Sequence, residues 1–422
     1  AGILVLLAVS CPAFILATWP LWWGNSSFPQ VPFLPILARV PVWVDQVLVA
    51  CVCGASIGIL YTRWRQVPAQ RWLIIQACLL GGLILLNQHR LQPWAYQFVL
   101  LLLTLAFAPS QYGLRWMRWL AISVYFYSAL SKLDHTFITT LGGSFLDALL
   151  GSCAAWVSES LRPWLVAIIP LAELSIAVGL VWQRARKLAV IGALAMHGAL
   201  IWILGPWNLD HSWGVLLWNV FFALYVVLLF WKHSPAEPAA LSGSPGGEQP
   251  VARAMLVLWC FVLLAPLGRF AEWYDEWPSW ALYAPSGGRV ELLVSSLALH
   301  RLPAEVRSYL QPVDDSGEYL RLRMDRWSLH ATRAPVYPQP RFQYAVAMTV
   351  IRESRVASAS QVLLLSPASV RSGERDATAA VGAPKMNAIQ DRFWFNTTPR
   401  RTSWIGQANP GFREEGATHD AR

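Results

Sequence analysis

The chain has 422 residues, 55% of them hydrophobic and only 14% charged, and it contains 24 tryptophans. Soluble domains carry about 25% charged residues, so the composition excludes an ordinary soluble enzyme and points to an integral membrane protein. The net charge of +9 comes from arginines scattered through short loops and a mixed-charge C-terminal part, without the basic stripe that nucleic-acid binding needs.

Nine apolar stretches, near 1–23, 46–62, 72–88, 95–109, 116–131, 164–182, 188–204, 214–231 and 254–268, cross or nearly cross a hydrocarbon core of about 30 Å. Residues 1–23 lack a basic n-region and a clear cleavage site, so they are expected to be a first membrane span rather than a signal peptide. With that span entering from the cytoplasm, the inner loops and their flanks carry Arg63, Arg65, Arg71, Arg115, Arg118, Arg184, Arg186, Lys187, Lys232 and Arg253. The opposite loops carry Arg39, Arg90, Lys132 and Arg162, an asymmetry that follows the positive-inside rule and puts the C-terminal part outside.

Residues 133–163 include "TLGGSFLDALLG", with apolar residues at helical spacing, and are expected to form short helices against the outer mouth. The Pro/Gly/Ser/Ala run at 234–250 reads as a flexible cytoplasmic linker. From 278 to about 400 the alternation in "RVELLVSS", "YLRLRMDRWSL", "FQYAVAMTVI" and "SQVLLLS" predicts strands, with helices near 303–311 and 385–393. The expectation is therefore a polytopic α-helical membrane domain over 1–268 followed by a small extracytoplasmic α+β domain over 278–400, with 401–422 a flexible tail. The α+β part has no phosphate loop, no nucleophile elbow and no metal-ligand spacing. None of the six cysteines forms a C-x-x-C, which removes thiol-exchange chemistry, and Cys51 and Cys53 read as packing residues.

Polar residues gather on the expected outer side. Asn87, Gln88, His89 and Arg90 end the third stretch, Lys132 and Asp134 the fifth, and Asn208, Asp210 and His211 follow the seventh. Going back from Lys132, Ser128, Tyr125 and Ala121 form one helical stripe, which should face the bundle because polar groups in hydrocarbon must be satisfied. A buried Lys132 can act as a general base; the alternative is a lysine that snorkels to the headgroups. Glu173 and His197 lie at similar depths in adjacent stretches, where they form either a proton relay or a pair that locks two helices. Trp19, Trp22, Trp23, Trp94, Trp164, Trp202, Trp207 and Trp213 sit at the expected outer interface, either as anchors or as stacking partners for a flat ring such as a quinone.

"VYFYSALSKLDHTF", residues 124–137, resembles the vitamin K-dependent gamma-carboxylase family and its bacterial HTTM relatives, in which an aromatic-rich helix runs into Lys-Leu-Asp. "NQHRLQPWAYQF", residues 87–98, is similar to the family segment that carries an active-site histidine. The resemblance spans about 45–231; Phe137 stands where the family commonly has Trp, and Gln88 interrupts the paired asparagines. It implies Lys132 as the base that deprotonates a hydroquinone and His89 as its partner. Tyr125 and Asp134 are candidate supports, and Asn87, Trp94, Tyr96 and Ser128 candidate cofactor contacts. The implied activity is a quinol-linked enzyme of carbon–carbon lyase or oxygenase type, with a vitamin K-like quinol as cofactor, the bilayer as surroundings and an extracytoplasmic protein or peptide as substrate. The segment 171–206 also resembles DoxX and MauE redox-associated membrane proteins, which implies instead a partner-binding subunit without catalysis.

Overall fold

The computed structural model describes residues 2–24, 26–108, 110–232 and 249–400. Each of the nine apolar stretches falls on a helix: α1 (Gly2–Ala17), α2 (Trp43–Trp64), α3 (Gln70–Leu86), α4 (Pro93–Phe107), α5 (Ser110–Leu130), α6 (Arg162–Val181), α7 (Arg186–Leu204), α8 (Trp213–Phe230) and α9 (Gln249–Leu264). Among the described residues, five helical segments are long and apolar enough to cross a membrane: α2, α6, α7, α8 and Arg253–Ala271, which covers most of α9 and the 3-10 turn after it. α1, α3 and α4 are apolar but shorter. The linker expected at 234–250 lies, except for Gln249 and Pro250 at the start of α9, outside the described residues, as does the tail 401–422.

Proline sets several helix starts. Pro93 in α4 and Pro163 in α6 occupy the first turn, where a missing N–H costs nothing. Neighbours in sequence pack side by side, α2 on α3, α3 on α4, α6 on α7 and α7 on α8, while α5 crosses to α6 and α1 lies against α2 and α8. The connection after α5 folds as two short helices, His135–Thr139 and Leu141–Leu150, whose Phe137 and Leu146 pack on Val166 of α6.

The C-terminal part holds an antiparallel sheet in the order β2-β3-β1-β4-β5, with β1 (Arg289–Ser295), β2 (Leu310–Pro312), β3 (Tyr319–Leu322), β4 (Ser360–Leu365) and β5 (Ala377–Val381). Leu292 pairs with Val362 at its centre, and both are fully buried. Helices α10 (Met324–Thr332), α11 (Pro340–Ser354) and α12 (Ala383–Gln390) complete it.

Here the strand expected at 342–351 is corrected to a helix. Every residue from Arg341 to Ile351 is buried, so α11 has no solvent face and its sequence carries no polar stripe from which a helical period could be read. Likewise "YLRLRMDRWSL" is a strand only to Leu322 and a helix from Met324. The helix expected near 303–311 shrinks to Ala304–Arg307, ahead of β2.

One contiguous apolar core runs from Leu7, Phe14 and Phe98 in the bundle to Leu292, Phe342 and Val350 in the C-terminal part. The C-terminal part is therefore seated on the bundle end that carries the 26–42 loop and the 87–92 turn. Gln88 Nε2 donates to the Asn396 carbonyl at 2.8 Å, and the Arg400 amide donates to the Gln30 carbonyl at 2.8 Å.

Candidate functional site

Lys132 sits just past α5, where its amide still closes the last turn onto the Ala129 carbonyl. Lys132 is 2% exposed and its side chain points into the bundle, on the same stripe as buried Ser128, Tyr125 and Ala121. Nζ lies 2.8 and 3.0 Å from the Glu173 carboxylate oxygens and 2.6 Å from Ser128 Oγ. With the Ser128 carbonyl at 3.3 Å as a fourth acceptor, the three donors of an ammonium are all matched, which is what a buried charge requires. This geometry excludes the alternative of a snorkelling lysine.

Glu173 reaches this point from the middle of α6, three residues after the in-helix Pro170. A second chain of hydrogen bonds lines the same cavity. Asn219 Nδ2 donates to the Val215 carbonyl at 2.9 Å, so its Oδ1 faces His197 Nδ1 at 2.9 Å. The imidazole therefore carries its proton on Nδ1, and Nε2 accepts from the Tyr125 hydroxyl at 2.8 Å. Sequence depth alone suggested that Glu173 and His197 meet each other; instead Glu173 takes Lys132 and His197 takes Tyr125 and Asn219. Depth is readable from a sequence, but rotation about the helix axis relative to third parties is not.

The cavity enclosed by Lys132, Ser128, Tyr125, Glu173, His197 and Asn219 is ≈ 30 Å³, room for one or two waters. It shares Trp218, Leu282 and Tyr283 as walls with a chamber of ≈ 250 Å³. That chamber lies between the N-terminal ends of α4 and α8 and the segments 281–285 and 335–338.

The remaining expected site residues are distributed otherwise. His89 does not line the Lys132 cavity. The 3-10 turn Gln88–Arg90 directs its ring to the C-terminal part, where Nε2 donates to the Pro335 carbonyl at 2.7 Å and lies 3.3 Å from Ser328 Oγ. Burial pushes its pKa down to about 4, with the Pro335 bond opposing and Arg90 assisting the shift. A catalytic pairing of His89 with Lys132 is therefore corrected to a joint between the two parts of the chain. Asn87 braces the turn itself: its Oδ1 accepts the His89 and Val31 amides.

Asp134 caps the short helix after Lys132, accepting the Phe137 amide at 2.7 Å. Tyr96 bonds Tyr274 at 3.3 Å and packs on Trp280, outside both cavities. Trp94 lines the chamber and stacks on Phe14. Of the third outer cluster, only His211 reaches the chamber; Asn208 and Asp210 are exposed. Trp164, Trp202, Trp207 and Trp213 are exposed, as anchors would be, whereas Trp22 and Trp94 are buried. Cys51, read as a packing residue, is exposed instead.

Sequence reasoning missed Asn219, Ser212 and Tyr283. An isolated Asn inside "WGVLLWNVFF" was the available signal, since an amide in an apolar helix must find a partner. It also missed Asp45, which joins Arg90 and Arg400 in a fully buried ion cluster. Among the described residues no group of three or more His, Cys, Asp or Glu side chains could hold a metal ion. No family model, curated protein or solved structure matches this chain.

Proposed function

We propose that the chain is a nine-span membrane enzyme of the gamma-carboxylase/HTTM kind, with its C-terminal domain on the outer face, in which Lys132 and Glu173 remove a proton from the hydroxyl of a membrane-soluble quinol. The observation that carries the reading is the buried Lys132–Glu173 pair beside a chamber large enough for a ring. Taking up one proton turns the pair into the Lys132 ammonium and a neutral Glu173 acid, a gain of one positive charge that the substrate oxyanion balances. Nζ first passes one of its own protons to Glu173, and the substrate O–H then breaks, its proton taking the vacated place on Nζ. The electron pair stays on the substrate oxygen, as an anion facing the Lys132 ammonium.

The topology has two supports. The C-terminal part packs on the 26–42 loop and the 87–92 turn, at the bundle end opposite the Arg-rich loops. The arginine and lysine asymmetry supports that end as the outer one.

The test compares wild type, Lys132→Ala and Glu173→Gln in lipid nanodiscs for quinol-dependent oxygen uptake and for carbon dioxide fixation into Glu-containing peptides. Wild type should consume oxygen, with Lys132→Ala reduced at least a hundredfold, in the range by which general-base groups contribute. Equal rates for all three remove the enzymatic reading.

One observation favours a second reading. At ≈ 30 Å³ the Lys132 cavity itself admits only water, as it would if the pair simply locked α5 to α6 in a DoxX/MauE-like subunit that binds an extracytoplasmic partner. Copurification of another subunit through residues 278–400, with no quinol-dependent turnover, is its expected signature.

A further inference from the structure

The apolar outer side of α9 does not stop where its span stops. Val257, Phe261, Leu264, Leu267, Phe270 and Trp273 are all exposed and recur every three or four residues. The change from α-helix to 3-10 turn at Ala265 keeps them on one face, because a 3-10 turn brings every third residue into line. Trp273 lies two residues past the end of the apolar segment Arg253–Ala271, at the depth where indoles anchor spans. Its ring closes over Gly268, where a Cβ would come within 3.0 Å of it, yet Trp273 stays 72% exposed.

Trp273 shares a cleft of ≈ 610 Å³ with Phe393, Trp394 and Phe395 of the C-terminal part. The rings on either side of Trp394 are fixed. Phe393 packs on Tyr344 of α11 with ring centroids 5.6 Å apart, and Phe395 lies edge-on to Phe33 at 5.7 Å with the Arg341 guanidinium 5.0 Å from its centre. Trp394 between them is 99% exposed, so no described residue covers it. A second route gives its height. The Phe33 amide donates to the Leu85 carbonyl in the last turn of α3, and the Asn396 amide donates to the Phe33 carbonyl. Residues 394 and 395 therefore sit level with the end of α3 and, beside Trp273, with the end of the α9 span.

We propose that Trp394, with Trp273 and Phe395 beside it, inserts into the headgroup layer of the leaflet on this side, so that the C-terminal part is anchored on the bilayer as well as on the bundle. Only the crossing of the membrane by α9 is required, whatever reaction Lys132 serves. An indole suits that layer because its ring is apolar while its N–H can bond water or ester oxygens. Exposed rings that continue the apolar stripe of a membrane span form a patch that the lipid surface itself covers. The attraction is apolar rather than charge-driven. Arg341 is bound to Asp275, and Arg392 is outnumbered in the cleft by Glu272 and Asp376, so among the described residues anionic lipid finds no basic cluster here.

The full chain, with photoreactive p-benzoylphenylalanine in place of Trp394 or, as the membrane reference, of Phe261, is irradiated in phosphatidylcholine nanodiscs, and its peptides are searched for lipid adducts by mass spectrometry. The adduct yield at 394 should fall within about threefold of that at 261, since both positions face lipid. It should hold at about 1 M salt, where charges are screened beyond about 3 Å. A lower yield, or cross-links from 394 to a second protein chain in place of lipid, overturns the proposal. So does a yield that collapses in salt and returns when anionic lipid is added, because the attachment is then electrostatic.

Hydrogen exchange gives a second measurement that needs no photoreactive residue. Trp394→Ser in the same nanodiscs should raise exchange at 393–396 by about 3- to 10-fold, as loss of the anchor lets the segment open locally, while α11 exchanges as in wild type. Unchanged exchange at 393–396 also overturns the proposal, since an indole that stands in water holds nothing.

Discussion

Lys132 Nζ, at the end of α5, lies 2.8 and 3.0 Å from the two carboxylate oxygens of Glu173, in the middle of α6. Both residues are almost completely buried. Removing one partner leaves the other charge without compensation, whereas removing both leaves an apolar contact. Lys132→Met should therefore lower stability by about 3–5 kcal/mol, and Lys132→Met with Glu173→Leu should recover most of that loss. Thermal unfolding in one detergent, with retention of folded monomer on size exclusion, measures both. A double variant no better than the single one would show that the two charges are not coupled.

Asn219 fixes which nitrogen of His197 carries the proton, because its own amide nitrogen is committed to the Val215 carbonyl. In wild type, nitrogen NMR of labelled histidine should show His197 with a protonated Nδ1 and an unprotonated Nε2, assigned by comparison with His197→Asn. Asn219→Leu should give a mixture of tautomers. It should lower the rate of any reaction that uses Tyr125, because the Tyr125 hydroxyl then loses its fixed acceptor on Nε2. A single unchanged tautomer in Asn219→Leu would mean that Tyr125 alone sets the ring.

His89 makes the joint between bundle and C-terminal part depend on pH. Its folded pKa is lowered from 6.5 to about 4, first by burial. A histidine held neutral contributes stability that is fully present above its unfolded pKa and is lost as pH falls, because below about 6.5 the unfolded state binds the extra proton. The melting temperature should therefore drop between pH 6.5 and 4. His89→Gln should flatten that part of the curve by up to one proton's worth of slope. An identical pH dependence in His89→Gln would assign the effect elsewhere, with His211, lowered by burial in the same way, the next group to replace.

The sequence exposed those features that depend on one helix at a time. Apolar length located all nine helices, and the i−4 and i−7 spacing put Ser128 and Tyr125 on the Lys132 face. Contacts that join three elements stayed hidden. His89 stands at the same end of the bundle as Lys132, yet one 3-10 turn aims it at Pro335, a residue 246 positions later. Glu173 and His197 share a depth and a cavity, but their partners come from α5 and α8. In the C-terminal part, α11 defeated pattern reading because complete burial erases the polar face that reveals a helix.

The buried cluster of Asp45 with Arg90 and Arg400 shows how such long-range contacts hold the molecule together. Asp45, in the first turn of α2, accepts on Oδ1 from both guanidinium groups, Arg400 Nη1 at 3.1 Å, and Arg400 Nη2 lies 2.7 Å from Oδ2 as an ion pair. The surplus positive charge is spread over carbonyl oxygens: Arg90 donates to those of Leu21 and Trp22, and Arg400 to those of Val40 and Pro41. Two cations on one carboxylate make the substitutions unequal. Asp45→Asn strands two buried guanidinium groups and should cost at least the about 3–5 kcal/mol of a broken buried pair. Arg400→Met removes one cation and leaves Asp45 neutralised by Arg90, so its global cost should be smaller, about 1–3 kcal/mol. Its local effect should be larger, because Arg400 anchors the irregular segment that runs back over Gln30 and Phe33. Hydrogen exchange should then rise selectively at 393–400 and 28–33 in Arg400→Met, but throughout the bundle end in Asp45→Asn. Equal losses in both variants would mean that the cluster acts as one cooperative unit.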